Sequence, residues 1–307
     1  MAFSRCMGER KDGPDMKILK KIGSILFCLL PVLLAFGIQI VVTFAGVFAK
    51  MLVLLADGSL AVRGSSLAGL DNAIYQISSD SQFLAGITAV YAILAAAALG
   101  IWYKVRFVPK HTPRRRASSI VNPHMLGGLI LLMLGMQYLS SYMVMLIAAI
   151  RPAWFQTYQS MMEGIGFGDM TPLLAVYTVL IAPISEELIF RGVTLKYASR
   201  AMPFFMANIF QSVLFGAFHG NMVQGIYAFV AGLFCGYVCH KGGSLYLSVL
   251  FHMMFNLWGA FAPEALSYGG NSIGIHLAVV TAAAGITVAG FFLYRKGIQR
   301  REAYPCH

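Results

Sequence analysis

The chain has 307 residues, of which 58% are hydrophobic and only 11% charged, with a net charge of +11 and a mean hydropathy of +0.72. A soluble domain averages about 25% charged residues, and this composition leaves too little polar surface to cover a soluble fold. That excludes a soluble enzyme, a disordered chain and a fibrous protein, and the long unalternating apolar runs argue against an aqueous porin-type barrel. The fold class that remains is all-α, a polytopic transmembrane helical bundle.

A bilayer core of about 30 Å takes about 20 apolar residues per helix, and eight segments answer to that. In chain order they run from about Ile22 to Ala49, Phe83 to Tyr103, Met125 to Ile150, and Pro172 to Leu195. The remaining four run from Met202 to His219, Met222 to Cys239, Ser244 to Phe261, and Ile273 to Tyr294. The first has a basic flank, but its apolar run is too long for a signal peptide and reads as a retained anchor. The stretches 57–82 and 151–171 read as short, weakly charged loops. The organisation expected is a tail at 1–21, a first set of helices and loops at 22–171, a core at 172–262, and a last helix with its tail at 263–307.

Basic residues alternate with the segments. Arg5, Arg10, Lys11, Lys17, Lys20 and Lys21 precede the first; Lys104, Arg106, Lys110 and the arginines at 114–116 follow the second. Lys196 and Arg200 follow the fourth, Lys241 the sixth, and Arg295, Lys296, Arg300 and Arg301 the eighth. The other side holds Lys50, Arg63 and Arg151. Because basic loops stay cytoplasmic, both termini are expected in the cytoplasm of a multi-pass protein of a bacterial plasma membrane. The positive charge is then topological, with no nucleic-acid partner, and the arginine run suits anionic lipid headgroups. The cysteines (Cys6, Cys28, Cys235, Cys239 and Cys306) show no disulfide or zinc-knuckle spacing. Cys235 and Cys239, with His240 next, read as buried small residues rather than as metal ligands.

Ten of the 12 acidic residues lie in tails or loops; Glu186 and Glu187 lie inside the fourth segment. Charges at membrane depth are costly and face the protein interior or a water-filled cavity. Arg191 follows Glu187 by one helical turn, so the two share a face and pair. Glu186, rotated about 100° away, is left as the carboxylate free for acid or base chemistry. Pro183 is expected to bend the helix just before the pair. His219 closes the fifth segment one turn after Phe215. His252 and Asn256 share a face of the seventh, and His276 has no polar companion at helical spacing and reads as structural.

Two chemistries use a Glu, two His and an Asn. In one, Glu186 and His219 polarise a water while His252 and Asn256 hold an oxyanion. In the other, the Glu and two His bind a metal that activates the water. The chain has no His-Glu-x-x-His string and Asn is a poor zinc ligand, which favours the version without a cofactor, zinc being the alternative.

The strings Glu186-Glu187-Leu188-Ile189-Phe190-Arg191, Phe215 to His219, and His252 to Asn256 resemble, in order, the three motifs of the CAAX protease and bacteriocin-processing (CPBP, or Abi) family of intramembrane proteases. The resemblance covers about Pro172 to Trp258. It implies a bundle of about eight spans with a cavity open to the cytoplasm, and an endopeptidase acting on a membrane protein or peptide. It also implies water activation by Glu186 and His219, an oxyanion site of His252 and Asn256, and support from Glu187 and Arg191. With simple spans, however, His219 falls at the outer end of its segment, roughly 10 Å from the depth of Glu186. Either that segment starts later or it is short, tilted or re-entrant. A non-enzymatic immunity or scaffold protein and a proton-coupled or ion transporter using Glu186 are the competing functions. The transporter would call for an inverted repeat, and the sequence shows none.

Overall fold

The computed structural model describes residues 23–58, 68–110, 120–168, 170–262 and 272–303. The basic N-terminal tail, Arg63, the arginines at 114–116, Cys6 and Cys306 lie outside these residues. The described residues form ten helices and no strand. They are α1 (Leu30–Ala56, with helical turns before it from Gly23), α2 (Ala68–Ser79), α3 (Ser81–Phe107), α4 (Pro123–Ile150) and α5 (Pro152–Gly164). Then come α6 (Pro172–Ala201), α7 (Phe204–Phe218), α8 (Met222–Gly242), α9 (Leu245–Phe261) and α10 (Ile273–Ala303). Six of them, α1, α3, α4, α6, α8 and α10, are long and apolar enough to cross a membrane, and α7 and α9 are shorter apolar helices. These eight answer to the eight segments read from the sequence.

The two stretches read as loops each contain a helix, which corrects the sequence reading. In α5 the cause is visible: Phe155, Tyr158, Met162 and Ile165 recur at helical spacing and turn inward, while Gln156, Gln159 and Glu163 are exposed. The stretch is amphipathic rather than apolar, so a search for spans passes over it.

Asp80 starts α3. Its carboxylate accepts from the Phe83 N–H at 2.9 Å and from Lys50 Nζ at 3.1 Å. The Phe83 N–H above all, with Lys50 beside it, holds this carboxyl below the usual carboxylate range. The bond to Lys50 ties the end of α1 to the start of α3. Helix α8 stops at Gly243, whose φ of 63° is the left-handed turn that glycine accepts at a helix end.

Helices α4 and α10 run antiparallel, in contact along most of their length, and small residues let them approach. A Cβ on Gly128 would meet the Tyr294 backbone, and one on Gly135 would strike Thr287 Oγ1. Gly290 and Gly297 repeat this against Leu132 and Met125. Helices α7 and α8 close in the same way at Gly216 and Gly225.

Spans α6 and α8 are the most enclosed, with 39% and 44% of their apolar windows buried against 22% for α1 and α10. Helix α6 packs against α1, α3, α7 and α9, and this central position puts the two adjacent carboxylates inside the protein.

Candidate active site

Helix α6 is not a uniform α-helix. Tyr177–Ile181 and Leu188–Thr194 are π-helical, and the short α segment Ala182–Glu187 lies between them. The bend expected at Pro183 takes this form, a change of register within one continuous span. The Ala182 N–H donates to the Tyr177 carbonyl, five residues back. The next donor in that register would be residue 183, and proline has no N–H. The Thr178 carbonyl is taken instead by Asn256 Nδ2 of α9 at 2.9 Å. Such π-helical insertions are frequent at functional sites.

Downstream of Pro183 the two carboxylates part company. Glu187 is fully buried and its Oε1 accepts two bonds, from Arg191 Nη1 at 2.7 Å and from His252 Nδ1 at 2.9 Å. Arg191, also fully buried, donates through Nη2 to the Gly232 carbonyl of α8 at 3.2 Å. Its guanidinium lies 4.4 Å from the centre of the Phe215 ring, an arrangement that favours a cation. Glu186 stays partly accessible, and its Oε2 stands 3.7 Å from His252 Nε2. His252 is therefore held between the two carboxylates, one on each ring nitrogen.

His219 caps the C-terminus of α7, and its Nδ1 meets the Phe215 carbonyl at 2.8 Å. A carbonyl only accepts, so Nδ1 carries the proton and the Nε2 of a neutral ring is an acceptor. Phe215 also touches both histidines edge-on, with ring centres 4.9 Å from His219 and 5.7 Å from His252. The depth problem raised by the sequence is met by α6, which runs on to Ala201 instead of ending near Leu195: α7 turns straight back from there, so Glu186 and His219 stand about equally far from the turn and line the same cavity.

That cavity has a volume of about 880 Å³. Glu186, His219, His252 and Asn256 all line it; Glu187 and Arg191 do not, being sealed behind it. Across from Glu186, Tyr91 of α3 and Gln137 and Ser140 of α4 line the wall, and Tyr91 Oη, Gln137 Oε1 and Ser140 Oγ are buried without partners. Phe155, Tyr158 and Met162 of α5 form one end.

Sequence reasoning missed this facing wall, because isolated Tyr, Gln and Ser residues in apolar helices carry no spacing signal. It also missed the support beneath Arg191. Gln211 Nε2 donates to Asn208 Oδ1 at 2.8 Å and to the Gly232 carbonyl at 3.0 Å, the same carbonyl that Arg191 uses. Three buried polar residues on α7, Asn208, Gln211 and Ser212, at (i, i+3, i+4) spacing were the available sign. His276 meets Tyr142 Oη at 3.1 Å, and His240 stacks on Phe204 with ring centres 3.7 Å apart.

Among the described residues, one set of potential metal ligands has its atoms within 4.8 Å of one another: Glu187, Cys235 and His252. It fits a dication poorly. Glu187 Oε1 is already bonded to the Arg191 cation, and the His252 nitrogen on that side is the one bonded to Glu187. The set expected for a metal, Glu186 with His219 and His252, does not gather its ligand atoms this closely.

Fold and site together define an all-α polytopic membrane protein with a polar, histidine-lined cavity inside the bundle. Residues 168–258, the stretch holding all three motifs, match the family model described as type II CAAX prenyl endopeptidase, Rce1-like, in agreement with the CPBP resemblance. Neither the curated proteins nor the solved structures gave a match to this chain.

Proposed function

We propose that the chain is an intramembrane endopeptidase of the CAAX type, which hydrolyses a peptide bond of a membrane protein or peptide with a water activated by Glu186 and His219 and without a metal. The observation that carries this reading is the convergence of Glu186, His219, His252 and Asn256, from three helices, on one cavity. Glu186 takes a proton from the water, whose oxygen attacks the scissile carbonyl carbon, and His219 Nε2 orients the water by accepting its other hydrogen. The carbonyl oxygen becomes an oxyanion. His252, anchored to Glu187 through Nδ1, donates to it from Nε2 when both ring nitrogens carry a proton, and Asn256 donates the amide hydrogen not spent on Thr178. The C–N bond then breaks as Glu186 returns the proton to the leaving amine.

The facing wall supports a peptide as the ligand. Buried polar groups without partners are costly, and a peptide backbone carries N–H and C=O groups of the kind that Tyr91, Gln137 and Ser140 lack.

The test compares peptide termini from membrane fractions of deletion cells carrying either the wild-type chain or Glu186→Gln at matched protein levels. Termini that disappear with Glu186→Gln are expected, and they name the substrate. Unchanged termini together with a rescued phenotype would make the protein a non-enzymatic one.

A further inference from the structure

The two ends of the bundle are different in kind. At one end lie the basic termini of α3, α6, α8 and α10. Contacts hold them together: Arg200 of α6 lies over the Phe107 ring of α3 at 4.7 Å, and Arg301 of α10 donates to the Ile120 carbonyl just before α4 at 3.2 Å. At the other end lie the Lys50–Asp80 pair and α5, with Arg151 beside them. The cavity runs from the middle of the bundle, where Gln39 of α1, Glu186 and His252 line it, into this second end. Its walls come from the first halves of α3, α6 and α8, the second halves of α4 and α9, the last turn of α7, and α5. Towards the basic end it is stopped by the Glu187–Arg191 pair and by the buried side chains of Ile189, Phe190 and Val193.

The resemblance implied a cavity open to the cytoplasm, and the charge pattern implied that the basic ends are cytoplasmic. In this bundle the two cannot both hold, because the cavity and the basic residues are at opposite ends. The charge rule acts during insertion on the loops of this chain itself, and its asymmetry here is large. We propose that the substrate reaches Glu186 from the non-cytoplasmic side of the membrane, as an extracytoplasmic stretch of a membrane-anchored protein or peptide. The assignment of side rests on the cavity and the charges; calling the occupant a substrate rests on the protease reading. Helix α5, with its apolar stripe over the cavity and its Gln and Glu face outward, is the element the substrate passes.

Cysteine accessibility in the full chain tests the side without any need for turnover. Cys6 and Cys306 are replaced by serine, leaving Cys28, Cys235 and Cys239 buried. Single cysteines are then placed on the cavity wall at Ser141 and Tyr158, and at exposed Lys241 on the basic end. A membrane-impermeant maleimide is applied to right-side-out and to inside-out vesicles. We expect the cysteines at 141 and 158 to label at least tenfold faster in right-side-out vesicles, and the one at 241 faster in inside-out vesicles. The reverse pattern overturns the proposal. So does labelling of all three from the same side, or labelling of 141 and 158 only after detergent is added. Adding Glu186→Gln separates the two readings. If it changes no peptide terminus, the protease reading fails, while the vesicle pattern still decides the side.

Discussion

Glu186 and Glu187 are neighbours with opposite duties, and the difference is one of solvation. Glu187 has no exposure and is bonded by a guanidinium and an imidazole. Removing one partner of a buried ion pair costs about 3–5 kcal/mol, because the other charge stays buried without compensation. Arg191→Met therefore lowers the thermal unfolding midpoint of the detergent-solubilised protein and abolishes cleavage with it. Glu186 stands at the cavity wall with 17% side-chain exposure and no ion pair closer than 3.7 Å. Glu186→Gln leaves the stability within about 0.5 kcal/mol of wild type, and so the midpoint nearly unchanged, while cleavage falls by about 10²–10⁴-fold, the range of general acid–base catalysis. Equal destabilisation of the two variants, measured by the same melting assay, would contradict this division. The division itself was legible in the sequence: the (i, i+4) spacing of Glu187 and Arg191 gives one carboxylate a partner and withholds it from the other. The link from Glu187 to His252 was not legible, since it joins residues of different helices and no local periodicity encodes it.

At the scale of the helix, Pro183 and Asn256 form one device. The proline withholds an N–H, the Thr178 carbonyl is left over, and an amide from α9 fills the gap. This bond fixes where α9 stands against α6, and so where His252 stands against Glu187. Pro183→Ala restores a backbone donor that competes with Asn256 for Thr178. We expect Asn256→Ala to cost less stability in that background than in wild type, with a double-mutant coupling of about 0.5–3 kcal/mol, as for residues in direct contact. Additive effects in denaturant or thermal unfolding would show that the two residues act independently. A proline in an apolar run announces a disturbed helix, as the sequence reading expected. The choice between a bend and a register change lies with the neighbour that satisfies the freed carbonyl, and that neighbour is 78 residues away. The turn between α6 and α7 makes the same point. The end of α7 lies beside Glu186 because α6 runs on to Ala201 and α7 turns straight back from Phe204, whereas hydropathy alone ends the fourth segment near Leu195, where the charges of Lys196 and Arg200 begin.

For the whole molecule, apolar length and basic asymmetry were enough to read the bundle and its eight apolar helices, because both are one-dimensional properties of the chain. The cavity is not. It arises where polar residues on α3, α4, α6 and α9 face one another, and its closure at one end depends on α5, whose half-polar pattern hides it from a hydropathy search. The polarity of the bundle has a consequence for the lipid around it. Exposed Lys104, Arg106, Arg200, Lys241, Arg295, Lys296 and Arg300 all lie at one end, and a basic residue near an anionic leaflet is worth about 1 kcal/mol. In nanodiscs the unfolding midpoint should then be higher in phosphatidylglycerol than in phosphatidylcholine, and the gap should narrow in roughly 0.5 M salt, where the Debye length is only a few ångströms. Arg295→Gln with Lys296→Gln, both exposed on α10, should remove part of the gap. Arg151→Gln, at the opposite end, removes a basic residue where the bundle has few others, and should leave the gap nearly intact. If Arg151→Gln narrows it as much as the α10 pair does, the lipids are reading total charge rather than its placement, and the electrostatic difference between the two ends does not govern lipid preference.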